Sequence, residues 1–177
     1  MVDLCLSKAK GMVKNMKTLI LYATKHGATA DIARRIAQLI DDSVVHELNQ
    51  EEIPSIDEFG CVIIGSPVYA GMIRKEAKSF LKHNADILCA KNLGLFLSAM
   101  DMSGEKKFFE ENIPENILQS AITSSVLGAV FDPEKAGIFE RLIMKLVTKR
   151  SGYVSTIDDE KIRQFAESIK TQSRKTQ

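Results

Sequence analysis

Short apolar or alternating runs and longer amphipathic stretches follow one another along most of the chain. The runs, each suited in length to one strand, lie at 17–23, 44–48, 61–66, 93–100 and 124–130. Segments with a helical pattern lie at 28–41, 72–88, 104–119 and 157–170. Strands separated by helices of this length form right-handed crossovers and a parallel sheet. The pattern therefore predicts an α/β, doubly wound, five-stranded parallel sheet with helices on both faces. We take its strand order to be 2-1-3-4-5, a common order for such sheets.

Length and charge narrow this picture. At 177 residues the chain suits one domain, which we place at 16–177. Residues 1–15 are expected to be a disordered extension, or to follow an upstream start that the cell does not use. With 24 basic and 23 acidic side chains the protein is nearly neutral, so bulk charge does not indicate nucleic acid as a partner.

Cysteine and histidine usage argues against disulfides and metals. The three cysteines, Cys5, Cys61 and Cys89, are widely spaced and form no CxxC pair, which predicts reduced residues of a cytoplasmic protein. The three histidines share no metal-ligand spacing, so no metal site is expected. No apolar run reaches the roughly 18 residues needed to span a bilayer.

Two turn-like stretches follow strands 1 and 3, between which this strand order places its switch point and its ligand. They comprise residues 24–29, TKHGAT, and residues 66–71, SPVYAG. A phosphate after strand 1 would meet the unpaired N–H groups of the first helix, a close approach at Gly27 and the hydroxyls of Thr24 and Thr29. The alternative is an ordinary strand-to-helix turn with a threonine cap.

These loops resemble those of flavodoxins. TKHGAT is similar to the T-x-T-G-x-T loop that binds the FMN phosphate, SPVYAG to the loop beside the isoalloxazine, and SAMDMSG after strand 4 to the third cofactor loop. The resemblance implies a flavodoxin-like fold and FMN as cofactor. It implies these binding residues: Thr24, Lys25, His26, Gly27, Ala28, Thr29, Ser66, Pro67, Val68, Tyr69, Ala70, Gly71, Ser98, Ala99, Met100, Asp101 and Gly104.

The loops depart from the flavodoxin pattern at two points. His26 replaces the usual middle threonine, and the third loop has no aromatic residue. Tyr69 is then the evident side chain for stacking on the flavin, with a half-buried packing tyrosine as the alternative. Asp101 could influence the flavin or be a solvated loop aspartate. We assign no catalytic acid or base, because the cofactor of a flavin enzyme carries the redox chemistry.

A segment at 131–152 separates strand 5 from the last helix and predicts a helical insertion. Apolar residues between 138 and 147 form one face, and Arg141, Lys145 and Lys149 recur along the other. The segment is similar to, though shorter than, the insertion of menaquinone-dependent protoporphyrinogen dehydrogenases. A basic amphipathic helix here could contact a membrane surface, or it could pack on the sheet.

The resemblance implies an FMN-dependent oxidoreductase similar to protoporphyrinogen IX dehydrogenase, acting in tetrapyrrole biosynthesis with a quinone as electron acceptor. The alternative is a flavodoxin-type electron carrier that serves a protein redox partner. A third hypothesis is a binding module that has lost FMN. We expect a cytoplasmic protein. The sequence leaves open both peripheral contact with the inner face of the cell membrane and the formation of a homodimer.

Overall fold

The computed structural model describes residues 17–50, 52–134, 137 and 152–175. The predicted extension at 1–15 and most of the predicted insertion at 131–152 lie outside these residues. The same holds for the membrane contact proposed for that insertion.

Five parallel strands form the main sheet in the order β2-β1-β3-β5-β6, which confirms the predicted 2-1-3-4-5 order. The observed order skips the number 4 because β4 is a two-residue strand that pairs antiparallel with the end of β3 and lies off this path. A separate antiparallel pair, β7 and β8, lies beyond the sheet. The strands are β1 Thr18–Tyr22, β2 Ser43–Glu47, β3 Cys61–Tyr69, β4 Met72–Ile73, β5 Asn92–Ser98, β6 Ala121–Val126, β7 Val130–Phe131 and β8 Val154–Ser155.

Helices cover both faces of the sheet because its central strands are apolar on both sides. Val62 and Ile64 of β3 enter one buried cluster, while Cys61 and Ile63 enter the other. The first and last helices pack on the second cluster, and the helices between them pack on the first. The helices are α1 Ala28–Leu39, α2 Lys75–His83, α3 Ala85–Cys89, α4 Glu105–Asn112, α5 Glu115–Ser120 and α6 Asp159–Lys175, with a 3-10 turn at Ile56–Glu58.

The predicted helix at 72–88 is wrong at its start and in its middle. Strand β3 runs on to Tyr69, and Ala70 and Gly71, with φ of 49° and 80°, turn the chain back into β4. Two positive φ values in a two-residue loop are those of a type I′ hairpin turn. The helix then begins at Lys75 and breaks at Asn84, whose φ of −115° is not helical.

Two other predicted boundaries have different outcomes. The helix predicted at 104–119 is interrupted before Pro114, which has no N–H to donate to a helical hydrogen bond. The strand predicted at 124–130 is displaced: β6 covers Ala121–Val126, and the chain then leaves the sheet. Gly128 allows this departure with a φ of 89°, in a position where a Cβ would lie 2.0 Å from the carbonyl oxygen of Thr156.

No helix in the described part of the chain is long and apolar enough to cross a membrane.

Candidate cofactor site

A cavity of about 490 Å³ opens at the carboxyl ends of β1, β3 and β5, where a sheet of this topology binds its ligand. Its volume lies within the usual range of small-molecule sites. The predicted site residues that line it are Thr24, Lys25, His26, Ala28, Thr29, Pro67, Val68, Tyr69, Ala70, Gly71, Ser98, Ala99, Met100 and Asp101. Thus the three predicted loops, distant in sequence, meet around one space.

A hydrogen bond between two residues of the turn between β1 and α1 fixes its shape. The N–H of Gly27 donates to Thr24 Oγ1 at 3.0 Å, which fixes the loop just before the helix. Gly27 is the N-cap of α1 with a φ of 94°. A Cβ at this position would meet nothing within 4 Å, so glycine is needed here for its backbone conformation rather than for space.

Thr29, in the first turn of α1, has an unusual environment. It is 1% exposed, and its Oγ1 is the one buried side-chain oxygen or nitrogen without a hydrogen-bond partner among the residues described. A buried hydroxyl without a partner is costly. Thr29 is also one of the residues that line the cavity, and it lies in the first turn of α1, where the unpaired N–H groups form the positive end of the helix. These groups fit a phosphate, which would accept hydrogen bonds from all of them.

The second loop is the β3–β4 hairpin, and its tip contacts the first loop. The Tyr69 ring lies edge-on to the His26 ring, with centroids 6.1 Å apart and planes at 85°. Lys25 Nζ lies 5.1 Å from the centroid of the Tyr69 ring, within cation–π distance. Tyr69 is 38% exposed, so it is a tyrosine at the cavity edge rather than a core residue.

Ser66, Gly104 and Gly27 are predicted site residues that do not line the cavity. The hydroxyl of Ser66 donates to the Pro67 carbonyl at 3.1 Å and accepts from the Arg74 N–H at 3.0 Å, so it braces the hairpin. Gly104 is the N-cap of α4, where a Cβ would lie 2.8 Å from Phe108 Cζ. Its small size therefore admits the Phe108 ring.

Asp101 places a carboxylate at the cavity edge. Its Oδ1 accepts hydrogen bonds from the N–H of Ser103 at 2.9 Å and from the Ser103 hydroxyl at 2.6 Å. These bonds, the hydroxyl first, lower the pKa of Asp101 below its ordinary value because they stabilise the ionised form. Asp101 is therefore negatively charged at neutral pH.

Sequence reasoning missed one wall of the cavity. This wall consists of Phe108, Ala129, Val130, Phe131 and Asp132. Phe108 follows Gly104 by one helical turn, so extending the third loop into the next helix could have identified it. The other four fall within the predicted strand 5 at 124–130 or the predicted insertion at 131–152. Phe108 and Phe131 provide aromatic rings that the three loops lack, apart from Tyr69.

The missed wall is held in place by the chain that returns after residue 151. Thr156 N–H donates to the Ala129 carbonyl at 2.8 Å, and Ala129 N–H donates to Thr156 Oγ1 at 3.1 Å. The β7–β8 pair continues this contact through Val130 and Phe131. β8 therefore lies next to β7, whose residues line the cavity.

Comparison with known families agrees with this geometry. A model of the flavodoxin domain matches residues 19–158. The chain belongs to the flavodoxin domain family. This assignment confirms the prediction of FMN as its cofactor, which the partnerless Thr29 hydroxyl at the start of α1 also fits.

Several solved structures share the flavodoxin fold at low sequence identity. Flavodoxin 2 from Bacillus cereus is 20% identical with a TM-score of 0.57, over 88% of this chain and 99% of that one. A flavodoxin, WrbA-like protein from Agrobacterium tumefaciens is 14% identical with a TM-score of 0.54, over 92% and 99%. A flavo di-iron protein from Thermotoga maritima is 16% identical with a TM-score of 0.54, over 90% of this chain but 36% of that longer one. Comparison with curated protein sequences gives no significant match.

The described residues contain no group of three or more histidine, cysteine, aspartate or glutamate side chains able to hold a metal ion. Cys61 is buried in the core and Cys89 is partly exposed, and both are free thiols. Burial raises the pKa of Cys61 to about 12, partly offset by a hydrogen bond with Thr18. Cys61 is therefore a packing residue and not a nucleophile.

Proposed function

We propose that this flavodoxin-domain protein is an electron-transfer flavoprotein that binds FMN in the cavity and exchanges electrons with a protein partner. The observation that carries the proposal is the partnerless hydroxyl of Thr29 at the start of α1, a residue that lines the same cavity as Tyr69 and Phe108. A phosphate-suited turn and aromatic side chains around one space suit a ligand with a phosphate and a planar ring system.

The chain's own residues divide the binding work between them. Thr29 and the first N–H groups of α1 would hold the phosphate, and the Thr24 hydroxyl keeps the preceding turn in shape. Tyr69 and Phe108 offer aromatic surfaces to the ring system. FMN, when bound, supplies one-electron and hydride transfer.

The rim of the cavity favours access by a partner. Tyr69 and Met72, which face each other in the β3–β4 pair, are 38% and 48% exposed, respectively. A redox partner could thus approach the hairpin without opening the fold. This supports the carrier over an enzyme that encloses its substrate.

The first test is the visible spectrum of the purified protein and the quenching of FMN fluorescence on titration with apoprotein. Saturable quenching at a 1:1 ratio is expected, and a chain that leaves FMN fluorescence unchanged contradicts the proposal. The carrier role is then tested by reducing the holoprotein anaerobically and mixing it with cytochrome c, a probe of protein electron acceptors. Haem reduction is expected at a rate that rises with cytochrome c concentration.

The second candidate is an FMN-dependent oxidation of protoporphyrinogen IX with a quinone as acceptor. One observation favours it: the apolar wall at 129–131 lies next to the segment whose sequence resembles the insertion of those enzymes. Anaerobic mixing of the holoprotein with protoporphyrinogen IX and a menaquinone analogue separates the two functions. Formation of fluorescent protoporphyrin IX at many turnovers per protein supports the dehydrogenase, and its absence together with rapid cytochrome c reduction supports the carrier.

A further inference from the structure

Asn112, at the end of α4, is 4% exposed and uses its side chain to join two elements. Its Oδ1 accepts the N–H of Ile73 in β4 at 3.0 Å. Its Nδ2 donates to the carbonyl of Gly71 in the hairpin turn at 2.7 Å and to the carbonyl of Phe108 in its own helix at 2.8 Å. Both donors and one acceptor site of the amide are therefore engaged.

The two elements that Asn112 joins both contribute to the cavity lining. The hairpin contributes Tyr69, Ala70 and Gly71, and α4 contributes Phe108. On its other side the hairpin contacts Lys25 and His26 through the Tyr69 ring. The hairpin is thus held from the first loop through Tyr69 and from α4 through Gly71 and Ile73.

We propose that Asn112 is a positioning residue for the cofactor: it holds the β3–β4 hairpin against α4 and thereby sets FMN affinity and reduction potential. For these two properties the inference rests on the proposed function. Asn112 does not line the cavity, so its effect on FMN passes through Gly71, Ile73 and Phe108 rather than through direct contact.

The chemistry at this point favours asparagine over similar side chains. An aspartate could accept from Ile73 N–H but could not donate to the carbonyls of Gly71 and Phe108, and its charge would face both oxygens. A leucine would leave the buried Ile73 N–H and the Gly71 carbonyl without this partner. The hairpin would then lose the hydrogen bonds that fix its distance to α4, while Ala70 keeps a positive φ that alanine seldom adopts.

The test compares Asn112→Asp and Asn112→Leu with a control that lowers stability away from the site. Ile117 in α5 is fully buried and does not line the cavity, so Ile117→Val and Ile117→Ala give a graded loss of core packing. Variants are compared at matched denaturation midpoints. The first readout is the amide hydrogen-exchange rate of Ile73 in the apoprotein, measured by NMR. The second is the FMN dissociation constant and the reduction potential of the holoprotein.

We expect Ile73 exchange to be at least tenfold faster in Asn112→Leu than in the Ile117 variants, whereas Asn112→Asp keeps an acceptor for this N–H and should change its exchange less. In both Asn112 variants, FMN affinity should be at least tenfold weaker and the reduction potential shifted. Unchanged Ile73 exchange in Asn112→Leu would overturn the link between hairpin and α4. Faster exchange with the affinity and potential of the Ile117 controls would make Asn112 a stability residue and overturn its positioning role. If the unmodified protein binds no FMN, the proposed function fails, and the exchange result still decides whether Asn112 holds the hairpin.

Discussion

Thr29→Val should stabilise the apoprotein and weaken FMN binding. The change keeps the branched shape of the side chain and removes the hydroxyl that is buried without a hydrogen-bond partner. Thr24→Val provides a contrast, because Thr24 Oγ1 accepts the N–H of Gly27 at 3.0 Å. Removing that acceptor leaves the turn without its internal bond.

The expected magnitudes follow from the two environments. A buried polar group without a partner costs about 1–3 kcal/mol, so we expect Thr29→Val to raise the free energy of unfolding of the apoprotein by about 1–2 kcal/mol. A hydrogen bond to a charged phosphate contributes about 1.5–3 kcal/mol, which corresponds to a dissociation constant about 10- to 150-fold higher in the variant. Thr24→Val should lower both stability, by about 0.5–1.5 kcal/mol, and affinity.

Urea denaturation of the apoproteins and FMN fluorescence titration measure the two quantities. Thr29→Ser, which keeps the hydroxyl, should retain most of the affinity. A less stable Thr29→Val apoprotein would mean that the hydroxyl stabilises the folded apoprotein and is not left without a partner in the absence of a ligand. An unchanged dissociation constant would place the phosphate elsewhere, and either result would refute the role assigned to Thr29.

Three further predictions concern the hairpin, the third loop and the core. Ala70→Asn should raise the free energy of unfolding, measured by urea denaturation, by about 0.5–1 kcal/mol. Asparagine tolerates the positive φ at position 70 and forms with Gly71 the preferred residue pair of a type I′ turn. A loss of stability would contradict this turn type. Ser103→Ala should raise the pKa of Asp101 towards its ordinary value in an NMR titration, since the ionised form loses a hydrogen bond, and an unmoved pKa would exclude that bond. In a variant whose other two cysteines are replaced by serine, Cys61 should not react with iodoacetamide at pH 8 until denaturant is added. The reason is that burial raises the pKa of Cys61 to about 12. Rapid labelling of the native protein would show that solvent reaches the core.

Local patterns were enough to predict the sheet and the first part of the site. The runs at 17–23 and 61–66 identify central strands because a strand buried on both faces must be apolar throughout. The order of helices and strands then leaves few topologies, and the switch point between strands 1 and 3 follows from that order. Thr24, Gly27 and Thr29 could be predicted as a candidate phosphate loop because they occupy one short strand-to-helix turn, whose chemistry depends on a few neighbouring residues.

The hairpin and one wall of the cavity depend on tertiary contacts, so local sequence patterns did not predict them. The hairpin at Ala70 was missed because alanine seldom adopts a positive φ, and the turn is maintained by Ser66 and by Asn112, about forty residues away. The wall at 129–132 depends on where β6 leaves the sheet, which Gly128 and its approach to Thr156 determine.

Sequence alone thus determined the order of strands and helices and the three loops at the sheet edge, because helical and strand periodicity and turn chemistry act over a few residues. The hairpin, the aromatic wall and the Asn112 link were decided only in the folded protein. Each depends on atoms from distant segments meeting within hydrogen-bond or van der Waals distance, and those distances are set by how the helices pack on the sheet.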